Sequence, residues 1–220
     1  MAPLERLPLF PLPTVLLPGA TQALHIFEPR YRRLLSDTTA GSREFGVILR
    51  TPDQAERAIA PGTAGCVARL EHAQELPDGR SNIVVTGVTR FALSRFVDDP
   101  APYLVAEVEA ITDAEEPAES QAPLASELRS LFQRVAHSAR TIQDDAAALP
   151  ELPIDPGELS FAVARYIDLE QGEQQALLAS RSANARLARL CQRLRDIVES
   201  IELRAVVHSR ARGNGSGTTA

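Results

Sequence analysis

Glu28, Arg30 and Tyr31 fall within four positions of one another in LHIFEPRYRRLL, residues 24–35. A carboxylate, a guanidinium and a phenol so close together can move a proton, clamp an anion, or hold a corner of the chain. The surrounding residues favour the corner. Phe27 is expected to anchor a strand end in the core. Glu28 precedes a helix, where a carboxylate can accept backbone N–H groups, Pro29 suits the first helical position, and Tyr31 packs. A half-buried carboxylate at such a corner needs a cation, and Arg90, in GVTRF, is the expected partner across the sheet.

Other chemistries find less support. His25, His72, His137 and His208 are isolated, and no Cys-x-x-Cys or His-Glu-x-x-His spacing occurs. Cys66 and His72 on one strand would stand about 20 Å apart at ~3.3 Å per residue, so no metal is expected. There is no Gly-x-Ser-x-Gly elbow and no glycine-rich phosphate loop. All 23 basic residues are arginine. Without lysine, a Ser-Lys dyad, a Schiff base and a phosphate-loop lysine are closed, and arginine is too basic to replace lysine as a proton acceptor. No catalytic residue and no cofactor is expected.

The elements that must position these residues follow from periodicity. Residues 4–18 are apolar but carry Pro8, Pro11, Pro13 and Pro18, which predicts a strand that is short, irregular or at a sheet edge. Leu24 and Ile26 alternate against His25 and Phe27, and a helix fits residues 29–39. Alternation recurs in EFGVILR, TAGCVARLEH, VTRFALSRFV and PYLVAEVEAIT, with a Pro-Asp-Gly turn at residues 77–79. Residues 1–111 therefore read as about six strands and one helix, a small twisted barrel or pair of sheets. Residues 112–123, acidic with Pro117 and Pro123, read as a linker. Residues 124–208 read as a helical bundle. Leu187, Leu190, Leu194, Ile197 and Ile201 form a narrow seam, assigned to bundle core rather than to a dimer zipper. Residues 209–220 read as a disordered tail.

Charge is uneven. Residues 112–170 hold 12 acidic and 4 basic side chains, and residues 171–220 hold 4 and 8. Arg186, Arg189, Arg193 and Arg195 are expected on a solvated outer face, with the acidic middle segment as their counterpart. The net charge of −6 and an aromatic content of 5% argue against nucleic acid. Two cysteines exclude a disulfide framework, and no apolar run approaches the ~18 residues of a membrane span. A cytoplasmic chain is expected.

The pieces resemble the N-terminal substrate-binding domain of Lon protease. LPLFPLPTVLLPGATQALHIFEPRYRRLL follows that domain's opening, ending in its Phe-Glu-x-Arg-Tyr block. FGVIL, GTAGCVARL, LPDGR, VTGVTRF and PYLVAEVEAI follow in order, and EQQALLAS and ARLARLCQRL are similar to its helices. The resemblance covers about residues 4–208 and lacks the ATPase and protease parts, so the chain reads as a stand-alone member. It implies an α+β protein: a PUA-like twisted β pseudo-barrel with one helix, then a C-terminal α-helical bundle. It implies a non-enzymatic module that binds exposed apolar segments of unfolded or tagged polypeptides, as an adaptor or holdase, with an ATP-dependent protease as a further partner. An RNA-binding module or a hydrolase are the alternatives. The block Phe27, Glu28, Pro29, Arg30 and Tyr31, with Arg90, is the expected structural signature. Leu16, Leu17, Phe27, Arg30 and Tyr31 are the expected polypeptide contacts.

Overall fold

In a computed structural model, residues 5–215 are described, with side chains as far as Ala211. They form two compact units. The first runs to Asp113 and takes in Ile167–Arg181; the second comprises Ala114–Tyr166 and the chain from Ser182 onward.

The first unit holds six strands: β1 (Glu5–Leu12), β2 (Thr21–Ile26), β3 (Glu44–Leu49), β4 (Ala64–Glu75), β5 (Ser81–Val97) and β6 (Leu104–Ala110). Their order is β2-β5-β4-β3-β1-β6, and β6 pairs back onto β5. Five strands thus close a ring, and β2 lies outside it. The 17-residue length of β5 makes this possible. Its first half, Ser81–Thr86, pairs with β2 on one side and β4 on the other; its last part, Phe91–Val97, pairs with β6. Register shifts at Cys66/Ala68 and Leu93/Arg95 bend the strands where the ring must curve.

The ring encloses Leu9, Ile48, Ile59, Phe91, Leu93, Ala106 and Val108. Close approach explains two glycines. A Cβ at Gly65 would lie 2.3 Å from the Phe91 ring, and one at Gly87 would lie 2.3 Å from the Leu17 carbonyl oxygen. Gly87 also exchanges backbone bonds with that turn, from Gly19 at 2.7 Å and to Ala20 at 2.9 Å.

Of the three alternatives expected for the proline-bearing strand β1 (short, irregular or at an edge), the edge does not hold. It pairs with β6 over Glu5–Leu9 and with β3 over Leu9–Leu12. At almost every position it uses one side only, so a proline whose nitrogen faces the other side forfeits no ladder bond.

Helix α1 (Pro29–Ala40) follows β2 and buries Tyr31, Leu34, Leu35 and Thr38. Helices α2 (Ala118–Gln143), α3 (Pro156–Ala164), α4 (Gln171–Ala179) and α5 (Ala183–Gly215) complete the fold. Three features depart from the expected boundaries. The acidic segment 112–123 is helical from Ala118, with Pro123 on an exposed face of α2. Helix α4 belongs to the β unit, not to the bundle. Helix α5 runs through the expected tail as far as Gly215, and residues 216–220 lie outside the described residues.

In the second unit α2 and α5 run parallel. Cys191 donates to the Leu124 carbonyl at 3.6 Å, Arg195 to Glu127 at 2.7 Å and Arg134 to Glu202 at 2.8 Å, so both helices advance together. The last two pairs each join residues 68 apart. Leu187, Leu190, Leu194 and Val198 are buried on α5, as are Leu128, Leu131 and Phe132 on α2. Leu187, Leu190 and Leu194 of the expected seam are core, whereas Ile197 and Ile201 are only partly buried and Val198 takes the buried side in the next turn. Arg186 is not on the solvated face. It is 1% exposed, donates to Ser160 Oγ at 2.8 Å and lies over the Phe161 ring.

Candidate functional site

The strand-to-helix corner is a closed polar lock. Glu28 caps α1 with its backbone carbonyl, which accepts from Tyr31 and Arg32 N–H groups at 3.0 Å. Its carboxylate makes no capping bond and instead accepts from Arg30 Nε at 2.9 Å. Arg30 also donates to Glu56 at 2.7 Å, and the Tyr31 hydroxyl donates to the other Glu56 oxygen at 3.1 Å. Arg30 lies 4.5 Å over the Tyr31 ring, and that ring packs 4.1 Å from Phe10. Burial and the Glu56 carboxylate push the Tyr31 phenol well above its ordinary pKa. A phenol held protonated, with each carboxylate already engaged, ties α1 to the loop before β4; it is not poised for proton transfer.

Arg90 does not pair with Glu28. It is 6% exposed and donates to the carbonyls of Leu178 at 3.0 Å and Ser180 at 2.5 Å, and to Asp113. Its guanidinium therefore closes the C-terminal end of α4, where unpaired carbonyls and the helix dipole favour a cation. Gln171 and Gln175 fasten the same helix to the carbonyls of Pro13 and Ala64, at 2.6 and 2.9 Å. Neither Glu56 nor α4 was legible as a partner, because a loop residue and a helix distant in sequence carry no periodic signal toward this corner.

The five expected polypeptide contacts separate. Leu16, Leu17 and Tyr31 are core residues at 2%, 5% and 4% exposure. Arg30 is half-buried in the lock. Phe27, expected in the core, is 56% exposed. The two-residue alternation of β2 explains the reversal: Ile26 takes the buried side, so Phe27 must face out with His25. The two rings stack with centroids 6.1 Å apart, and His25 shares a 2.8 Å hydrogen bond with Asn82 on β5. The Phe27 carbonyl accepts from Arg32 Nε at 3.1 Å, which ties the backbone at the strand end.

Beside Phe27 lies the free side of β2. Among the described residues no strand pairs with it except β5. Its sequence, TQALHI, contains no proline, no lysine or arginine and no acid. Edge strands are usually guarded by such residues; this one is not. A row of backbone donors and acceptors, ending at an exposed aromatic ring, is suited to pairing with an extended chain. Elsewhere in the unit, Arg33, Asp37 and Tyr103 line a depression, but Asp37 already accepts from Arg33 at 3.0 Å and Tyr103 at 2.9 Å. Cys66 is buried, and burial pushes its thiol up to about 12, so it is no nucleophile. No group of three or more metal-ligating side chains is found among the described residues, and no described helix is long and apolar enough to cross a membrane.

Solved structures place this architecture in a fold class. It is similar to a Lon N-terminal domain protein from Xanthomonas campestris, with TM-score 0.60, 28% identity, and coverage of 84% of this chain and 96% of that one. The N-terminal domain of a Mycobacterium avium complex Lon protease matches with TM-score 0.65 over 87% and 99% of the two chains; at 21% identity it speaks for the fold alone. The fold is α+β, a mixed six-stranded sheet with helices, of the Lon N-terminal type. Residues 6–196 match the family described as the ATP-dependent protease La (LON) substrate-binding domain, and the chain belongs to that family. Among curated relatives, Lon protease 2 of Myxococcus xanthus is 28% identical over 97% of this chain, and the Lon protease of Anaeromyxobacter dehalogenans 27% over 96%. The chain spans about a quarter of the length of these relatives, 26% of each.

Proposed function

We propose that the first unit binds polypeptide as an extended strand added to the open side of β2, with Phe27 as the apolar anchor at its end. The observation that carries this reading is the unguarded edge of β2 running into an exposed, positioned aromatic ring. Strand addition supplies affinity through main-chain bonds and is tolerant of sequence, which suits recognition of unfolded segments. Membership of a substrate-binding family agrees with it. The chain would act without chemistry of its own, delivering or holding polypeptides in quality control, with an ATP-dependent protease as the consumer of what it binds. In this mode the contacts are Phe27, His25 and the β2 backbone.

The test is fluorescence anisotropy with a labelled apolar-alternating peptide and two N-methylated versions of it, modified at even or at odd positions. One version should lose binding and the other keep it, because only alternate N–H groups of an added strand face β2. Phe27→Ala should weaken binding about tenfold or more while leaving the unfolding midpoint unchanged. Binding that ignores backbone methylation would sink strand addition. Steeply salt-dependent binding of RNA by the same surface would replace a polypeptide with a nucleic acid.

A further inference from the structure

The outer face of α5 carries an apolar stripe that the α2–α5 seam leaves uncovered. Leu203, Val206 and Val207 are 65%, 46% and 60% exposed. At about 100° per residue they stand on the side of α5 opposite Leu194, Val198 and Ala205, which are buried in the seam. Glu199 lies one turn before the stripe and Arg210 one turn after it, on the same face. Among the described residues Arg210 has no ion pair; Glu199 makes no direct ion pair and adds only to the field at Arg134, whose contact partner is Glu202, on the flank, at 2.8 Å. The face is thus an acid, three aliphatic side chains and a base, in that order.

That order is self-complementary in one direction only. The midpoint between Glu199 and Arg210 coincides with the midpoint of Leu203 and Val206, and each charge lies about 8 Å from it along the axis at ~1.5 Å per residue. Two copies related by a twofold axis through this point run antiparallel. Each Glu199 then meets the other copy's Arg210, and Leu203 of each fits between Val206 and Val207 of the other. A parallel arrangement would put Glu199 on Glu199 and Arg210 on Arg210, which repels. Isologous pairing requires a patch that matches itself under a twofold rotation, and this stripe does. From this charge order and the unpartnered aliphatic residues we infer that the chain self-associates through antiparallel contact of its α5 helices, with a second copy of the chain as the occupant of this face.

The test uses the full chain in sedimentation velocity over a range of concentrations. A concentration-dependent monomer–dimer equilibrium is expected. Leu203→Glu should raise its midpoint about tenfold or more. Glu199→Arg and Arg210→Glu should each weaken the dimer, and the two together should restore it, because the swapped charges again meet their opposites. These positions are exposed, so loss of the fold does not mimic the effect. Val206→Cys, next to the axis, should give a disulfide-linked dimer under mild oxidation. A wild-type chain that stays monomeric throughout overturns the proposal. So does a dimer indifferent to these changes, or a monomer that uses Leu203 to bind a different protein.

Discussion

At the scale of residues, the block Glu28–Tyr31 ties α1 to Glu56. Glu56 receives both Arg30 and the Tyr31 hydroxyl, so Glu56→Ala leaves a buried phenol without its acceptor and should cost about 1–2 kcal/mol in chemical denaturation. Arg30→Ala removes a partly exposed pair and should cost less, about 1 kcal/mol or below. Arg90 is the costlier residue. Its removal strands the carbonyls of Leu178 and Ser180 and leaves Asp113 without this cation, so Arg90→Ala should destabilise by about 3 kcal/mol. Hydrogen exchange should show the loss first at the end of α4. Equal protection there in the variant and the parent would contradict the role assigned to Arg90.

At the scale of elements, small features decide large ones. Gly87 lets the turn before β2 cross β5 at backbone distance, so Gly87→Ala must move either the Leu17–Ala20 turn or the strand. A cost of about 1–3 kcal/mol, read from thermal unfolding, is expected. Helix α5 begins on Ser182, whose Oγ accepts from the Ala185 N–H at 3.0 Å, and a distant carboxylate reinforces that cap. Glu116 accepts from Ser182 Oγ at 2.5 Å and from the Asn184 N–H at 2.9 Å. Those bonds, the Ser182 hydroxyl foremost, hold the Glu116 carboxyl below its ordinary value of about 4.5. The native state therefore favours the ionised form. The stabilisation is complete above the unfolded-state pKa and is lost as pH falls through the depressed folded one. Glu116→Gln should flatten the fall in stability of the helical unit below about pH 4.5. An unchanged acid limb would show that this cap does not couple to folding.

At the scale of the molecule, the β unit is completed by a segment distant in sequence. Ile167–Arg181 returns to it, with Gln171, Gln175 and Arg181 donating to Pro13, Ala64 and Thr112. A chain ending at Asp113 should accordingly refold poorly, and a peptide of residues 167–181 added in trans should restore dispersed amide spectra. A fully folded fragment without the peptide would make α4 an ornament. By itself the sequence determined much of this protein. Two-residue alternation located the strands, Pro29 began α1, Asp155 capped α3 through the Glu158 N–H, and the Leu187–Leu194 spacing gave a buried seam. These are local consequences of period and capping, so they survive in any tertiary setting. Tertiary structure decided the rest. Phe27 faces outward because Ile26 won the core side of β2, and β1 escaped the edge because two neighbours each took part of it. Arg90 met α4 rather than Glu28 because partners across a sheet depend on register and closure, which no run of neighbouring residues records.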